Sequence, residues 1–207
     1  MSQNTKHSAI VVSLFTSLFI LNISKIEAQD FFKTHPSINP YQYEVVKAKA
    51  FQHAAVTSAH PLASMVGAAI MQEGGNAFDD EIATQFALAV VFPGAGNIGG
   101  GGFTLARKQN GELIGIDYRE AAPAKGSRDM YLDEKGNPIP GKSTNGASAS
   151  GIPGSVAGMF STHAYAKLPM SKLIEPAIEL AKYGFVISDK EARGLNNTRS
   201  AFVKNSA

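Results

Sequence analysis

The chain of 207 residues contains no cysteine and no tryptophan. Without cysteine there is no thiol nucleophile, no iron–sulfur cluster, no cysteine-ligated zinc and no disulfide framework. Charge of one sign is also lacking. Nineteen Lys and Arg against seventeen Asp and Glu leave a formal charge of +2. That balance offers no basic footprint for nucleic acid. What is present is an ordinary globular composition, 44% hydrophobic, with 20 glycines and 10 prolines. It excludes a disordered chain and a collagen, and it allows one or two domains with a core of useful size.

The N-terminus reads as a targeting segment. Lys6 and His7 precede an uncharged run of 17 residues, Ser8 to Ser24, which as a helix would span roughly 25 Å. That is a little short for a bilayer core. A basic start, an apolar stretch and small residues after it predict a signal peptide over 1–28, cleaved after Ala28. The mature chain is then 29–207, starting at Gln29, in the periplasm or secreted. The competing reading is an uncleaved N-terminal anchor. Either way the remainder is exported, and without disulfides its stability must come from packing.

Residues 30–55 read as a leader that joins the fold late. From Val56 the periodicity sharpens. Pro61 suits a first helical turn, Leu62, Met65, Val66, Ala69 and Ile70 recur at helical spacing, and Gly74-Gly75 stop the helix. Asn76 with Asp79 predicts a second helix start, continued by Ile82, Phe86 and Val90 and ended by Pro93. Four consecutive glycines, Gly99 to Gly102, precede a strand at Phe103 to Arg107. Asn110-Gly111 predicts a hairpin turn, and Leu113 to Arg119 the returning strand. A glycine run of this kind belongs where backbone passes close to another group. Residues 121–150 are loop-like. Ser150 to Ser155 leads into a helix ending near Pro169. Ser171 is a candidate cap for a further helix through Ala181, weakened by Pro176. Ser188 with Glu191 forms a capping box for a last helix.

Two motifs match a pattern without its context. Gly94 to Gly99 fits G-x-G-x-x-G, but a helix precedes it and a strand follows, the reverse of what aims amides at a pyrophosphate. Gly136 to Ser143 fits G-x-x-x-x-G-K-[ST], but Pro138 and Pro140 remove amides that would cradle phosphate, so it reads as a surface loop. The five histidines are scattered without metal-helix spacing and read as surface or cap residues. Asp79 and Asp80 read as an acidic helix start. Arg119, at a strand end beside Asp117 and Glu120, carries a planar fork suited to a carboxylate. A salt bridge to a neighbouring acid is the competing role.

Five segments together resemble the gamma-glutamyltransferase (gamma-glutamyltranspeptidase) family. They are Val56 to Ser64, Gly74 to Asp79, Gly96 to Phe103, Ile116 to Ala124 and Ser150 to Gly158, in order. The resemblance runs from about residue 45 to near residue 200 and covers the front of the family's large subunit. It implies an α/β fold, here an incomplete four-layer αββα sandwich of the N-terminal-nucleophile hydrolases. It implies γ-glutamyl transfer or hydrolysis on glutathione and related donors, through a γ-glutamyl-Thr ester, in a precursor that cuts itself into a large and a small subunit. Glutathione or another γ-glutamyl donor and the small subunit from the same precursor are the implied partners. No metal or organic cofactor is implied. Arg119 matches the family's α-carboxylate-binding Arg, and Glu120 is its orienting neighbour. No catalytic residue is assigned, because the nucleophile Thr has no counterpart before Ala207, so this chain alone is expected to be inactive. The alternatives are a sister amidase acting on poly-γ-glutamate or a cephalosporin side chain, and an inactive fragment. Alone, residues 29–207 are expected to fold poorly, with open strand edges and an unpaired apolar face on the helical hairpin.

Overall fold

A computed structural model describes residues 31–45 and 50–204. The signal peptide and its cleavage point lie outside the described residues. The order of elements is α1 (Phe31–Thr34), α2 (Pro61–Gln72), α3 (Ala77–Val91), β1 (Phe103–Arg107), β2 (Leu113–Asp117), a 3-10 turn (Ala147–Ala149), α4 (Ser155–His163), α5 (Met170–Tyr183) and α6 (Asp189–Lys204).

The helical hairpin forms as its local signals dictate. Pro61 occupies the first turn of α2, and the N-cap His60 accepts the Leu62 amide at its Nδ1, 3.2 Å away. Gly74, at φ +96°, turns the chain out of α2. Asn76 and Asp79 then close a reciprocal capping box on α3: Asn76 Oδ1 accepts the Phe78 and Asp79 amides, and Asp79 Oδ2 accepts the Asn76 amide at 2.7 Å. Leu62, Val66 and Ile70 of α2 and Ile82, Ala83 and Phe86 of α3 are buried together.

The hairpin's apolar face is not left unpaired, contrary to the sequence expectation. Leu173, Ala177 and Leu180 of α5 lie in the same buried cluster. Fully burying one such side chain contributes roughly 1.5–3 kcal/mol, enough for α5 to run through Pro176, which is itself buried inside the helix. Ser171 is not the cap of α5. Pro169 holds the N-cap position, and its carbonyl accepts the Lys172 amide at 2.9 Å. Similarly α4 ends at His163 rather than near Pro169.

The segment before α2 also differs from its reading as a late-joining leader. Phe31 and Ile38 are core residues. The carboxylate of Glu179 on α5, 2% exposed, accepts the amides of Phe31 at 2.5 Å and Phe32 at 3.1 Å. A pair 148 positions apart leaves no periodic signal in the sequence.

β1 and β2 form an antiparallel pair with Phe103 opposite Asp117 and Arg107 opposite Leu113. The turn is a three-residue loop. Gly111 takes φ +87° and donates to the Lys108 carbonyl at 2.9 Å, while Lys108 donates to Glu112 at 2.8 Å. One face of the pair carries Thr104 and Ile114, both buried, and Thr104 donates to Glu81 of α3. The other face is open: Phe103, Leu105 and Leu113 are 58%, 88% and 78% exposed. Helices on one side of a small antiparallel sheet make this a mixed α/β fold.

Candidate functional site

β2 ends at Asp117, and the strand period continues past it. Tyr118 shares the parity of Ile114 and Ile116 and turns inward, 8% exposed. Arg119 shares the parity of Asp117 and turns outward, with a side chain 65% exposed. Its guanidinium carbon stands 5.8 Å from the centroid of the Phe103 ring, on the open face of the sheet. Its Nε lies 3.6 Å from Glu120 Oε2, and its amide donates to Asp117 Oδ1 at 2.9 Å. The Glu120 contact is long and solvent-facing, so it steers the guanidinium without consuming it. The fork remains free to receive a carboxylate.

Backbone pairing holds this segment at both ends. Tyr118 exchanges hydrogen bonds with Gly102, N to O at 3.1 Å and O to N at 3.4 Å. Ala121 exchanges them with Ile152 at 3.1 and 2.8 Å. Arg119 and Glu120 are the two-residue span between these fixed points.

Five glycines press on the same span, and each position is closed to a side chain. A Cβ on Gly101 would lie 2.7 Å from the Glu120 amide and from the Tyr118 carbonyl, and one on Gly102 2.8 Å from the Tyr118 ring. A Cβ on Gly151 would meet Glu120 Cβ at 2.9 Å, one on Gly154 the Tyr118 carbonyl at 2.0 Å, and one on Gly158 the Tyr118 ring at 2.2 Å. The glycine run before β1 and the Gly151–Gly158 segment thus form one cradle around residues 118–120. Gly100 closes it: its carbonyl accepts the amides of Gly154 at 2.8 Å and Ser155 at 3.0 Å. The expectation that backbone here passes close to another group holds for Gly101 and Gly102.

Beneath the cradle, the Tyr118 hydroxyl accepts from Gln85 Nε2 of α3 at 2.9 Å. Neither residue was singled out by the sequence. Strand parity marks Tyr118 as inward, but its partner on α3 is a polar residue on a mixed helix face, with no pattern of its own.

The other singled-out acids have structural work. Asp79 is fully buried and, besides its capping bond, accepts the amides of Lys167 and Leu168 at 2.8–3.1 Å. Burial pushes the Asp80 carboxyl above its ordinary value, opposed by a bond from Thr84. Burial raises Glu81 also, opposed by Thr104. Among the described residues no group of three His, Asp or Glu comes together as a metal site. Gly136 to Ser143 is a turn-rich loop that does not lead directly into an α-helix, and Gly94 to Gly99 lies between α3 and β1.

The family model described as gamma-glutamyltranspeptidase matches residues 63–207. The glutathione hydrolase proenzyme of Escherichia coli K12 is 46% identical over 151 residues, covering 72% of this chain and 26% of that protein. Among solved structures, the gamma-glutamyltranspeptidase of Helicobacter pylori aligns with a TM-score of 0.74 at 46% identity, over 77% of this chain and 46% of that one. The enzyme of Pseudomonas nitroreducens, solved with L-DON, aligns with a TM-score of 0.69 at 40% identity, over 74% and 46%. The chain spans about a quarter of the length of the curated relatives it matches.

Proposed function

The chain belongs to the gamma-glutamyltranspeptidase family, and on that footing we propose that Arg119 binds the α-carboxylate of a γ-glutamyl donor in a glutathione hydrolase or γ-glutamyltransferase reaction. The observation that carries the reading is the outward guanidinium of Arg119, held on a two-residue span by backbone pairing on both sides. A bidentate ion pair with the donor's α-carboxylate fixes the γ-amide at a set distance from the sheet end. Glu120 limits the swing of the guanidinium, so less freedom is lost when the donor arrives.

The chemistry is acyl transfer. A threonine at a newly formed N-terminus attacks the γ-amide carbon, the amine leaves, and a γ-glutamyl ester forms. Water or an amino-acid amine then takes the acyl group. That threonine belongs to the small subunit of the same precursor, and this chain supplies the carboxylate anchor. The reaction is proposed to run outside the cytoplasm, in the periplasm or in the medium, a reading that the basic, apolar N-terminus supports.

A chimera tests the assignment. Residues 57–207 replace the homologous stretch of the E. coli relative, and release from a γ-glutamyl anilide is measured beside a 4-aminobutanoyl anilide, which lacks only the α-carboxylate, and a glutaryl analogue, which keeps the carboxylate and lacks only the α-amino group. The expected result is self-cleavage and γ-glutamyl release that Arg119→Ala abolishes or cripples while self-cleavage persists. Equal turnover of the glutaryl analogue would favour a sister amidase. Loss of self-cleavage in Arg119→Ala, with the γ-glutamyl and 4-aminobutanoyl donors equally affected, would make Arg119 a structural residue.

A further inference from the structure

Nothing in the chemistry of donor binding accounts for the buried tyrosine directly behind Arg119. Tyr118 has its ring enclosed between Gly102 and Gly158 and its hydroxyl bonded to Gln85 of α3 at 2.9 Å. Its carbonyl is pressed by Gly154 and Gly101 and its amide is paired with Gly102. Each part of the residue has a partner, and the partners lie on three segments: the glycine run before β1, α3 and the start of α4.

From this enclosure we infer that Tyr118 and Gln85 are positioning residues for Arg119, and that their hydrogen bond sets where the guanidinium stands for the donor carboxylate. The inference rests on the reading of Arg119 as the carboxylate anchor and deepens it.

Successive side chains in extended backbone point to opposite faces. A rotation of residue 118 about the strand axis is therefore carried straight into the direction of the Arg119 side chain. The two backbone bonds to Gly102 hold the position of the strand but resist such a rotation weakly, since the Tyr118 carbonyl bond is long at 3.4 Å. The ring is a lever, and the bond to Gln85 at its far end resists rotation with the greatest arm. The glycines remove every side chain that would prop the span elsewhere. Without the Gln85 bond, the ring still fills its slot, but it can rock within it. A displacement on the order of 1 Å in a substrate-positioning group is enough to weaken its hold on the substrate and lower kcat/KM.

The Phe103 ring offers a second support for the guanidinium on the outer face, at 5.8 Å. It is itself 58% exposed, and a contact of that kind is weak and permits sliding. The inner bond is therefore the more stringent of the two restraints.

The experiment has two arms. In the full chain, amide hydrogen exchange is followed at residues 118–121 in the parent, in Tyr118→Phe and in Gln85→Leu. Both substitutions keep bulk and remove only the hydrogen bond. Exchange at Arg119 to Ala121 is expected to quicken about three- to tenfold in both variants, with the α2–α3 hairpin unchanged. Unchanged exchange at 119–121, or no protection there in the parent, overturns the inference.

In the E. coli chimera, the same variants are compared with parent on donors with and without the α-carboxylate. The expected loss is three- to tenfold in kcat/KM, carried by KM and confined to the carboxylate-bearing donor. It should vanish in an Arg119→Ala background. An equal loss on both donors, or a loss that adds to that of Arg119→Ala, overturns the positioning role. Failure of Arg119→Ala itself to discriminate the donors overturns the functional reading instead, so the two failures are told apart.

Discussion

Gly158 and Tyr118 meet so closely that a methyl group on Gly158 would sit 2.2 Å from the Tyr118 ring. Both partners are buried, and Gly102 also approaches the ring, where a Cβ would lie 2.8 Å from it. The first turn and a half of α4 is thereby locked onto the end of β2.

Gly158→Ala is accordingly expected to destabilise the fold although alanine is the better helix former. The helical gain is about 1 kcal/mol. The overpacking cost is about 1–3 kcal/mol or more, and here it falls on a ring that two backbone segments already approach closely. A net loss of about 1–2 kcal/mol should be seen in urea unfolding, and Gly158→Ala should cost less in a Tyr118→Ala background, where the ring it strikes is absent. Stabilisation by the single change would show that the ring is not enclosed.

Glu179→Ala should release α1 from the core. The carboxylate accepts two amides, those of Phe31 and Phe32, and the substitution strands both. An unsatisfied buried donor costs about 1–3 kcal/mol, so a loss of about 2–4 kcal/mol is expected, with faster amide exchange at both positions. Glu179→Gln, which keeps an acceptor oxygen, should lose less. Equal behaviour of the two variants would mean that the site needs both carboxylate oxygens, because Gln keeps the volume and one acceptor oxygen.

The elements legible in the sequence were those whose determinants lie within a few residues. The α3 capping box pairs Asn76 with Asp79 and the α6 box pairs Ser188 with Glu191; both are local, and both form. The hairpin turn at Gly111 needed only a residue tolerant of positive φ. The features that escaped are set by contacts distant in sequence. Glu179 is a polar residue on an amphipathic helix until α1 folds over it. Pro176 reads as a helix breaker because its cost is local, while the burial that offsets it depends on α2 and α3. Arg119 was legible from strand-end chemistry and family motifs, but its cradle was not. Glycines at 101, 102, 151, 154 and 158 act on one span only after β1 and α4 meet.

Arg119→Lys offers a sharper comparison than Arg119→Ala alone. Lysine keeps the charge but not the planar fork. In the chimera, Arg119→Ala should lower kcat/KM on a γ-glutamyl donor by about 30-fold or more, the effect of removing one partner of a hydrogen-bonded charge pair. Arg119→Lys should fall between that variant and the parent. If lysine matches arginine fully, a point charge suffices and the bidentate geometry is not what the site uses.

The last expectation concerns pH and the junction at His60. The ring is 4% exposed. Its Nδ1 accepts the Leu62 amide, so the proton of the neutral ring lies on Nε2, which faces Glu191 Oε1 at 3.4 Å and the Tyr43 hydroxyl at 3.2 Å. The Tyr43 hydroxyl in turn donates to the Val186 carbonyl at 2.7 Å. Burial pulls the His60 pKa below the ordinary histidine value, and the Glu191 carboxylate only partly opposes it. The unfolded state therefore binds the proton more readily than the folded one. By linkage, stability rises with pH across the window between the depressed folded value and the ordinary value of about 6.5, is complete above that window, and declines as pH falls through it. Protonating Nδ1 would also turn the acceptor toward the Leu62 amide into a donor and break the cap of α2. His60→Asn keeps a capping acceptor and removes the titration. Chemical unfolding of parent and variant at a series of pH values should show the decline below about pH 6.5 in the parent and a flatter profile in His60→Asn. A decline of the same size in both would assign it to groups other than His60.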